Sequence, residues 1–157
     1  MKKLILLVTT IAMLIVVLAA CSGKQSGTGS SNTVVDADVV IEKSTFSETA
    51  QFIPVKVDDT EMEIIAVKAP DGTLRTALNT CQVCYDSGRG YYEQDDDVLV
   101  CQNCGNRFMM SQVSVEKGGC NPVGISDDMR SETDEAITIP LDLLKQAVPF
   151  FVNWKKS

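Results

Sequence analysis

The chain has 157 residues, a net charge of −7 and no histidine. One domain of this length holds a modest core that a bound metal would help to stabilise, and an acidic chain lacks the basic footprint of a nucleic-acid binder. The missing histidine excludes Ser-His-Asp and Cys-His nucleophiles, histidine general bases and histidine-ligated metals.

The chain opens Met1-Lys2-Lys3, a short basic segment, followed by a seventeen-residue run from Leu4 to Ala20 that is apolar apart from Thr9 and Thr10. It ends Leu18-Ala19-Ala20-Cys21. A basic start, an apolar core and small residues before a cleavage point describe a secretory signal over residues 1–20. The cysteine in that position resembles a bacterial lipobox, which makes Cys21 the lipidation site. An uncleaved membrane helix is the alternative, at the short end of the spanning range of roughly 17–25 residues. Residues 21–33 are rich in Ser and Gly and carry no hydrophobe, which predicts a flexible tether. Two acyl chains suffice for stable anchoring, so the expected location is the extracytoplasmic face of the cell membrane, with the lipid-anchored membrane as a first partner.

Residues 34–157 form the expected folded domain. Val39-Val40-Ile41 reads as a strand, and residues 50–57 as another, with Pro54 marking an edge or bulge. Asp58-Asp59-Thr60 reads as a turn and residues 62–68 as a strand rich in β-branched side chains. Pro70-Asp71-Gly72 is a strong turn signal, and residues 73–78 return from it towards Cys81. All of these read as core that carries a site.

Five of the six cysteines lie between positions 81 and 120. Cys81-Gln82-Val83-Cys84 and Cys101-Gln102-Asn103-Cys104 are separated by sixteen residues, a spacing within the zinc-ribbon window. Two residues between cysteines turn both thiols towards one ion. Between the pairs, Gly88 and Gly90 loosen the chain, residues 93–97 read as an acidic hairpin tip, and residues 98–100 as a strand. Gly105 directly follows the second pair, where it is expected to let backbone N–H groups face the sulfurs. The metal ligands predicted are Cys81, Cys84, Cys101 and Cys104. Tetrahedral sulfur suits zinc and iron alike. Disulfides and a redox-active C-x-x-C pair remain as other chemistries in an oxidising compartment. Cys120, in Gly118-Gly119-Cys120-Asn121-Pro122, lies in a turn that can fold back over the site, as an additional ligand, a resolving thiol or an inert buried residue.

Further on, residues 126–135 read as a polar loop and residues 136–139 as a strand. Pro140 opens a helix over 141–148, with Leu143, Leu144 and Ala147 facing the core and Pro149 ending it. The segment Phe150-Phe151-Val152-Asn153-Trp154, before Lys155-Lys156, reads as a cover for the core, with a membrane-facing aromatic and basic patch as the alternative. The fold class expected is mainly β: a small antiparallel domain with a short C-terminal helix and a four-cysteine metal site.

The run from Cys81 to Tyr92, the segment Leu99-Val100-Cys101-Gln102-Asn103-Cys104-Gly105-Asn106-Arg107-Phe108, and Gly118-Gly119-Cys120-Asn121-Pro122 together resemble the membrane iron–sulfur (FtrD-like) family. The resemblance extends over roughly residues 38–152. It implies an iron–sulfur cluster on Cys81, Cys84, Cys101 and Cys104, with Cys120 matching the family's own cysteine, and electron transfer beside an iron permease or another redox component. Many members carry several membrane helices before this domain, whereas here a lipidated tether stands in their place. A fainter similarity is to Rieske domains, with Cys84 and Cys104 where the two histidines would stand. All-thiolate ligation implies a lower potential than histidine ligation. Three functions follow: an electron-transfer or metal-handling protein of iron uptake; a structural-zinc module serving as a partner-binding component of a transporter; and a thiol–disulfide reductase. Only the last is an enzyme, and it explains the paired spacing least well.

Overall fold

The computed structural model describes residues 33–156. The expected signal peptide over residues 1–20, the expected lipidation site Cys21 and all of the expected tether but Thr33 lie outside the described residues. Among the described residues, no helix is long and apolar enough to cross a membrane.

Among the described residues there are eleven strands, one short α-helix and five 3-10 turns. A five-stranded sheet forms its middle. Strand β3 (Gln51–Val57) turns through Asp58, whose φ is 50°, into β4 (Thr60–Lys68). Asp and Asn tolerate this left-handed conformation better than most residues. The Pro70-Asp71-Gly72 turn, with Gly72 at φ 83°, then leads into β5 (Leu74–Cys81). This hairpin is the one read from the sequence, and its second strand ends at Cys81, the first of the predicted ligands. The two-residue β1 (Val34–Val35) adds to β3 in parallel, the one departure from antiparallel pairing. It pairs only with Val55 and Lys56, so Pro54 sits where β3 has no outer neighbour, as a proline requires. Strand β9 (Pro122–Ile125) completes the sheet beside β5.

Strand β4 explains the layering. Met62, Ile64 and Ala66 enter one hydrophobic core, while Ile65 and Val67 enter another. Period-2 alternation sends them to opposite faces, and both faces are covered. On the first face lies a three-stranded sheet of β2 (Val39–Glu42), β10 (Ser131–Glu132) and β11 (Ala136–Ile139), together with helix α1 (Leu141–Ala147). On the second lies the small antiparallel sheet of β6 (Tyr92–Asp95), β7 (Val98–Cys101) and β8 (Arg107–Met109). This second sheet carries Cys101, and the central sheet carries Cys81 at the end of β5.

The structure differs from the sequence expectations in four places. Residues 93–95 belong to β6, so the acidic tip narrows to Asp96 and Asp97. The polar 126–135 segment contains a 3-10 turn at Asp127–Met129 and the edge strand β10. Proline 149 does not stop the chain's winding, because it falls in the first positions of a 3-10 turn, Val148–Phe151, where its missing N–H costs nothing. Leu143 is only partly buried, while Leu144 and Ala147 fill the core.

The C-terminal segment covers the core, as the plainer of its two readings had it. Phe151 and Trp154 are buried and stack edge to face at 5.6 Å. The Trp154 indole Nε1–H donates to the Asn79 carbonyl in β5 at 2.7 Å. Lys155 lies over the Tyr91 and Trp154 rings, with its Nζ 4.9 and 4.4 Å from their centroids. Its ammonium also reaches Glu63 at 3.4 Å. Trp154→Ala should therefore destabilise the domain by about 3–5 kcal/mol through the cavity left behind. Trp154→Phe should cost about 1–3 kcal/mol, chiefly because the buried Asn79 carbonyl loses its donor. Urea midpoints of the two variants measure both.

Candidate metal centre

Three loops converge at one end of the small sheet. The first follows β5 and contains Cys81 and Cys84. The second follows β7 and contains Cys101 and Cys104. The third precedes β9 and contains Cys120. Cys81 and Cys101 are the last residues of their strands and are 0 % exposed. Cys84 opens a 3-10 turn, Tyr85–Ser87, that closes on Gly88 at φ 80°. Cys104 is exposed and Cys120 half-buried.

Backbone hydrogen bonds lock the loops together. The Cys81 N–H donates to the Gly90 carbonyl at 2.7 Å, and the Gln102 N–H to the Tyr91 carbonyl at 2.8 Å. Cys101 N–H donates to Asn106 O at 2.9 Å. Gln82, inside the first C-x-x-C, clamps the third loop. Its N–H donates to Asn121 O at 3.0 Å and its Nε2 to Pro122 O at 3.1 Å, while its Oε1 accepts from Gly118 N at 3.2 Å.

Gly90 fits because it has no side chain. A Cβ there would lie 2.2 Å from the Cys84 carbonyl oxygen and 2.7 Å from the Tyr85 nitrogen. The glycine thus allows the chain returning from the first pair to press against the turn that aims Cys84.

The sulfurs fall into two overlapping groups. Those of Cys81, Cys84 and Cys101 lie within 4.8 Å of one another, and so do those of Cys84, Cys104 and Cys120. The Cys84 and Cys120 sulfurs are 3.8 Å apart. Two sulfurs bound to one tetrahedral metal at about 2.3 Å stand about 3.8 Å apart, so this edge already has a coordination length. Three of the four cysteines predicted as ligands therefore share one group. Cys104 joins through Cys84, in company with Cys120. The Gly118-Gly119 turn does fold Cys120 back onto the site.

The polar surroundings treat the thiols unequally. Burial works to raise the Cys81 thiol's pKa, but hydrogen bonds from the Tyr92 hydroxyl and from the N–H groups of Cys84 and Val83 outweigh it and hold the pKa below the usual value. The Cys84 N–H lies 3.2 Å from the Cys81 sulfur. Burial raises the Cys84 pKa, and it pushes that of Cys101 up to about 12 from the usual 9.0. At Cys104, burial is outweighed by the Asn106 N–H and the neighbouring thiols, which lower the pKa; at Cys120, the Cys104 thiol and then burial raise it. Gly105 turns the chain at φ 73°, and backbone N–H groups do face the sulfurs around it: that of Asn106 faces Cys104, and those of Asn103 and Cys104 face Cys101, while the Gly105 N–H itself donates to the Cys101 carbonyl at 2.8 Å.

Sequence reasoning missed Tyr92, Gln82 and Gly90. Tyr92 is buried among the thiols, and its hydroxyl donates to the Cys120 carbonyl. Only the side chain's position, unreadable from spacing, reveals that role. The donor set is soft sulfur alone, which fits zinc or iron–sulfur centres and not hard oxygen-loving ions.

Fold and site together define a small, mainly β domain with a thiol cluster at metal-binding distance. Residues 45–151 match the family described as membrane iron–sulfur containing protein, FtrD-like, and the chain belongs to that family. No curated protein and no solved structure matches the chain, so the Rieske similarity rests on the sequence pattern alone.

Gly90→Ala should cost about 1–3 kcal/mol through overpacking against the Cys84 turn and should weaken metal loading. Gly72→Ala, which meets open space at positive φ, should cost about 1–2 kcal/mol and leave loading intact. Denaturant titration and metal analysis of both variants separate these effects. A pH dependence follows from Cys101 in the metal-free protein. Its folded pKa lies above the unfolded 9.0, so the folded state holds the proton more tightly. That contribution to stability is complete below pH 9.0 and lost as pH rises towards about 12. Urea midpoints across that range should fall, and Cys101→Ala should flatten the fall.

Proposed function

We propose that the chain is a lipid-anchored, extracytoplasmic iron–sulfur protein that transfers electrons or handles metal in iron uptake. The observation that carries this reading is the thiol-only cluster at the ends of β5 and β7, in a member of a membrane iron–sulfur family. Cys81, Cys84, Cys101 and Cys104 would hold the cluster. Bound there, an iron–sulfur centre supplies a one-electron couple. The residues around it do the rest. The ends of β5 and β7 hold Cys81 and Cys101 away from water. The backbone N–H groups of Cys84 and Val83 donate towards the Cys81 sulfur beside the Tyr92 hydroxyl, and these polar neighbours favour its thiolate. Hydrogen bonds to cluster sulfurs are one lever that sets a potential. An electron carrier needs no general base, in keeping with a chain without histidine.

The lipobox ending at Cys21 and the Ser/Gly-rich tether over 21–33 support anchoring of the 34–157 domain outside the cytoplasmic membrane, within reach of an iron permease or another redox component. The runner-up, a structural-zinc module that binds a transporter partner, draws on the 3.8 Å sulfur–sulfur edge, which suits a single tetrahedral ion equally.

Anaerobic purification of the full chain, followed by iron, zinc and acid-labile sulfide analysis, tests the reading. We expect iron and sulfide together, with visible absorption that dithionite bleaches and that Cys81→Ser and Cys101→Ser abolish. A colourless protein with stoichiometric zinc would overturn it in favour of the runner-up.

A further inference from the structure

The site holds one thiol more than an all-thiolate centre requires. Cys81, Cys84 and Cys101 form the inner group, closed off by the ends of β5 and β7. A centre that takes these three has one thiolate position left, whether it is a tetrahedral ion or a four-cysteine iron–sulfur cluster. Two thiols stand beside that position. Cys104 and Cys120 each lie within 4.8 Å of Cys84 and of one another. We propose that Cys104 and Cys120 are interchangeable ligands for this outer position, so that the centre is held by three fixed thiolates and one that exchanges. This rests on the reading that the thiols hold a metal, and it applies to iron–sulfur and zinc alike.

Both candidates are held in place by their own loops. The Cys104 turn closes through Gly105 N–H to Cys101 O at 2.8 Å and belongs to the second pair. The Cys120 loop is tied to the first pair through the three bonds of Gln82, braced within itself by Asn121 Nδ2 to Gly118 O at 2.7 Å, and held to β6 by the Tyr92 hydroxyl. Gln82 therefore couples the position of Cys120 to that of the first pair, and the 3.8 Å Cys84–Cys120 edge is at coordination length. The two thiols also differ in access to solvent. Cys104 is exposed, and Cys120 is half-covered. Exchange needs no redox chemistry. The arriving thiol gives its proton to solvent as its sulfur binds, and the departing thiolate takes one up, so charge and oxidation state are unchanged.

The test uses full-length protein, purified anaerobically, as Cys104→Ser, Cys120→Ser and the double variant. Metal content, metal affinity by chelator competition and the visible and electron paramagnetic resonance spectra are measured for each. Each single variant should keep the wild-type metal complement, with the spectrum of Cys120→Ser differing from that of Cys104→Ser. The double variant should bind at least about 100-fold more weakly, the upper end of what losing a mere supporting partner costs. Adding Gln82→Ala to Cys104→Ser should weaken binding below that of Cys104→Ser alone, because the loop presenting Cys120 then loses two of its three bonds to Gln82. Alkylation of the loaded wild-type protein should modify one thiol per chain in this cluster, divided between Cys104 and Cys120. The proposal fails if Cys104→Ser alone loses metal as the double variant does, if the double variant keeps its metal, or if only Cys120 is alkylated. The alkylation result stands even where a serine variant fails to fold. A wild-type protein that carries zinc without sulfide would overturn the electron-transfer reading while leaving the exchange readable in zinc occupancy. A wild-type protein that binds no metal would overturn both.

Discussion

Asn79 is the joint on which the site depends. It is 0 % exposed in β5, where an unpaired amide would be costly, and it is fully paired. Its Oδ1 accepts from the Tyr92 N–H at 2.7 Å, and its Nδ2 donates to the Tyr92 carbonyl at 3.1 Å and to Glu63 Oε2 at 2.6 Å. Its backbone carbonyl receives the Trp154 indole. The side chain thereby stands in for a stretch of strand ladder between two sheets that share no ladder of their own. Cys81 lies two residues along β5, on the same face by the period of the strand. Tyr92 is the register partner of Cys101. One buried amide thus sets how far apart the inner pair of sulfurs stand, and partial satisfaction of such a network would loosen it.

That joint also orders the chemistry by depth. Two of the inner sulfurs, those of Cys81 and Cys101, are held by strand ends, Cys84 by a 3-10 turn, and the outer ones by loops. At Cys81 the hydrogen-bond donors outweigh burial, whereas at Cys101 burial outweighs the Cys104 and Asn103 N–H groups, so two thiols at equal depth have pKa values displaced in opposite directions. In a chain without histidine, these sulfur environments and the single buried tyrosine among them are the means by which the protein can tune what it binds.

Much of this was legible in the residues themselves. The β4–β5 hairpin announced itself through Asp71-Gly72 and its β-branched flanks, and the paired C-x-x-C spacing named four of the five clustered thiols. The two-residue strands β1 and β10 were not legible, because segments so short exist only by virtue of the neighbour they pair with. Strand β9 was hidden behind Pro122, which reads as a turn residue but occupies the register position opposite Cys81. The grouping of sulfurs was also out of reach. Spacing says that Cys101 and Cys104 belong together, whereas the fold separates a strand-end thiol from a loop thiol three residues on. Gln82 looked like filler inside a motif, and its role appears only when the third loop arrives beside it.

The bond between Trp154 and Asn79 spans 75 residues of chain. Hairpins such as β4–β5 and β6–β7 close on the microsecond scale, whereas contacts this distant in sequence must first meet the entropy of closing a long loop. All five clustered cysteines precede the tryptophan that completes the joint. The thiols therefore exist, and can find one another, before the geometry that distinguishes inner from outer has been fixed. The two hairpins thus carry a small entropic cost of closure, and the Trp154–Asn79 bond a large one.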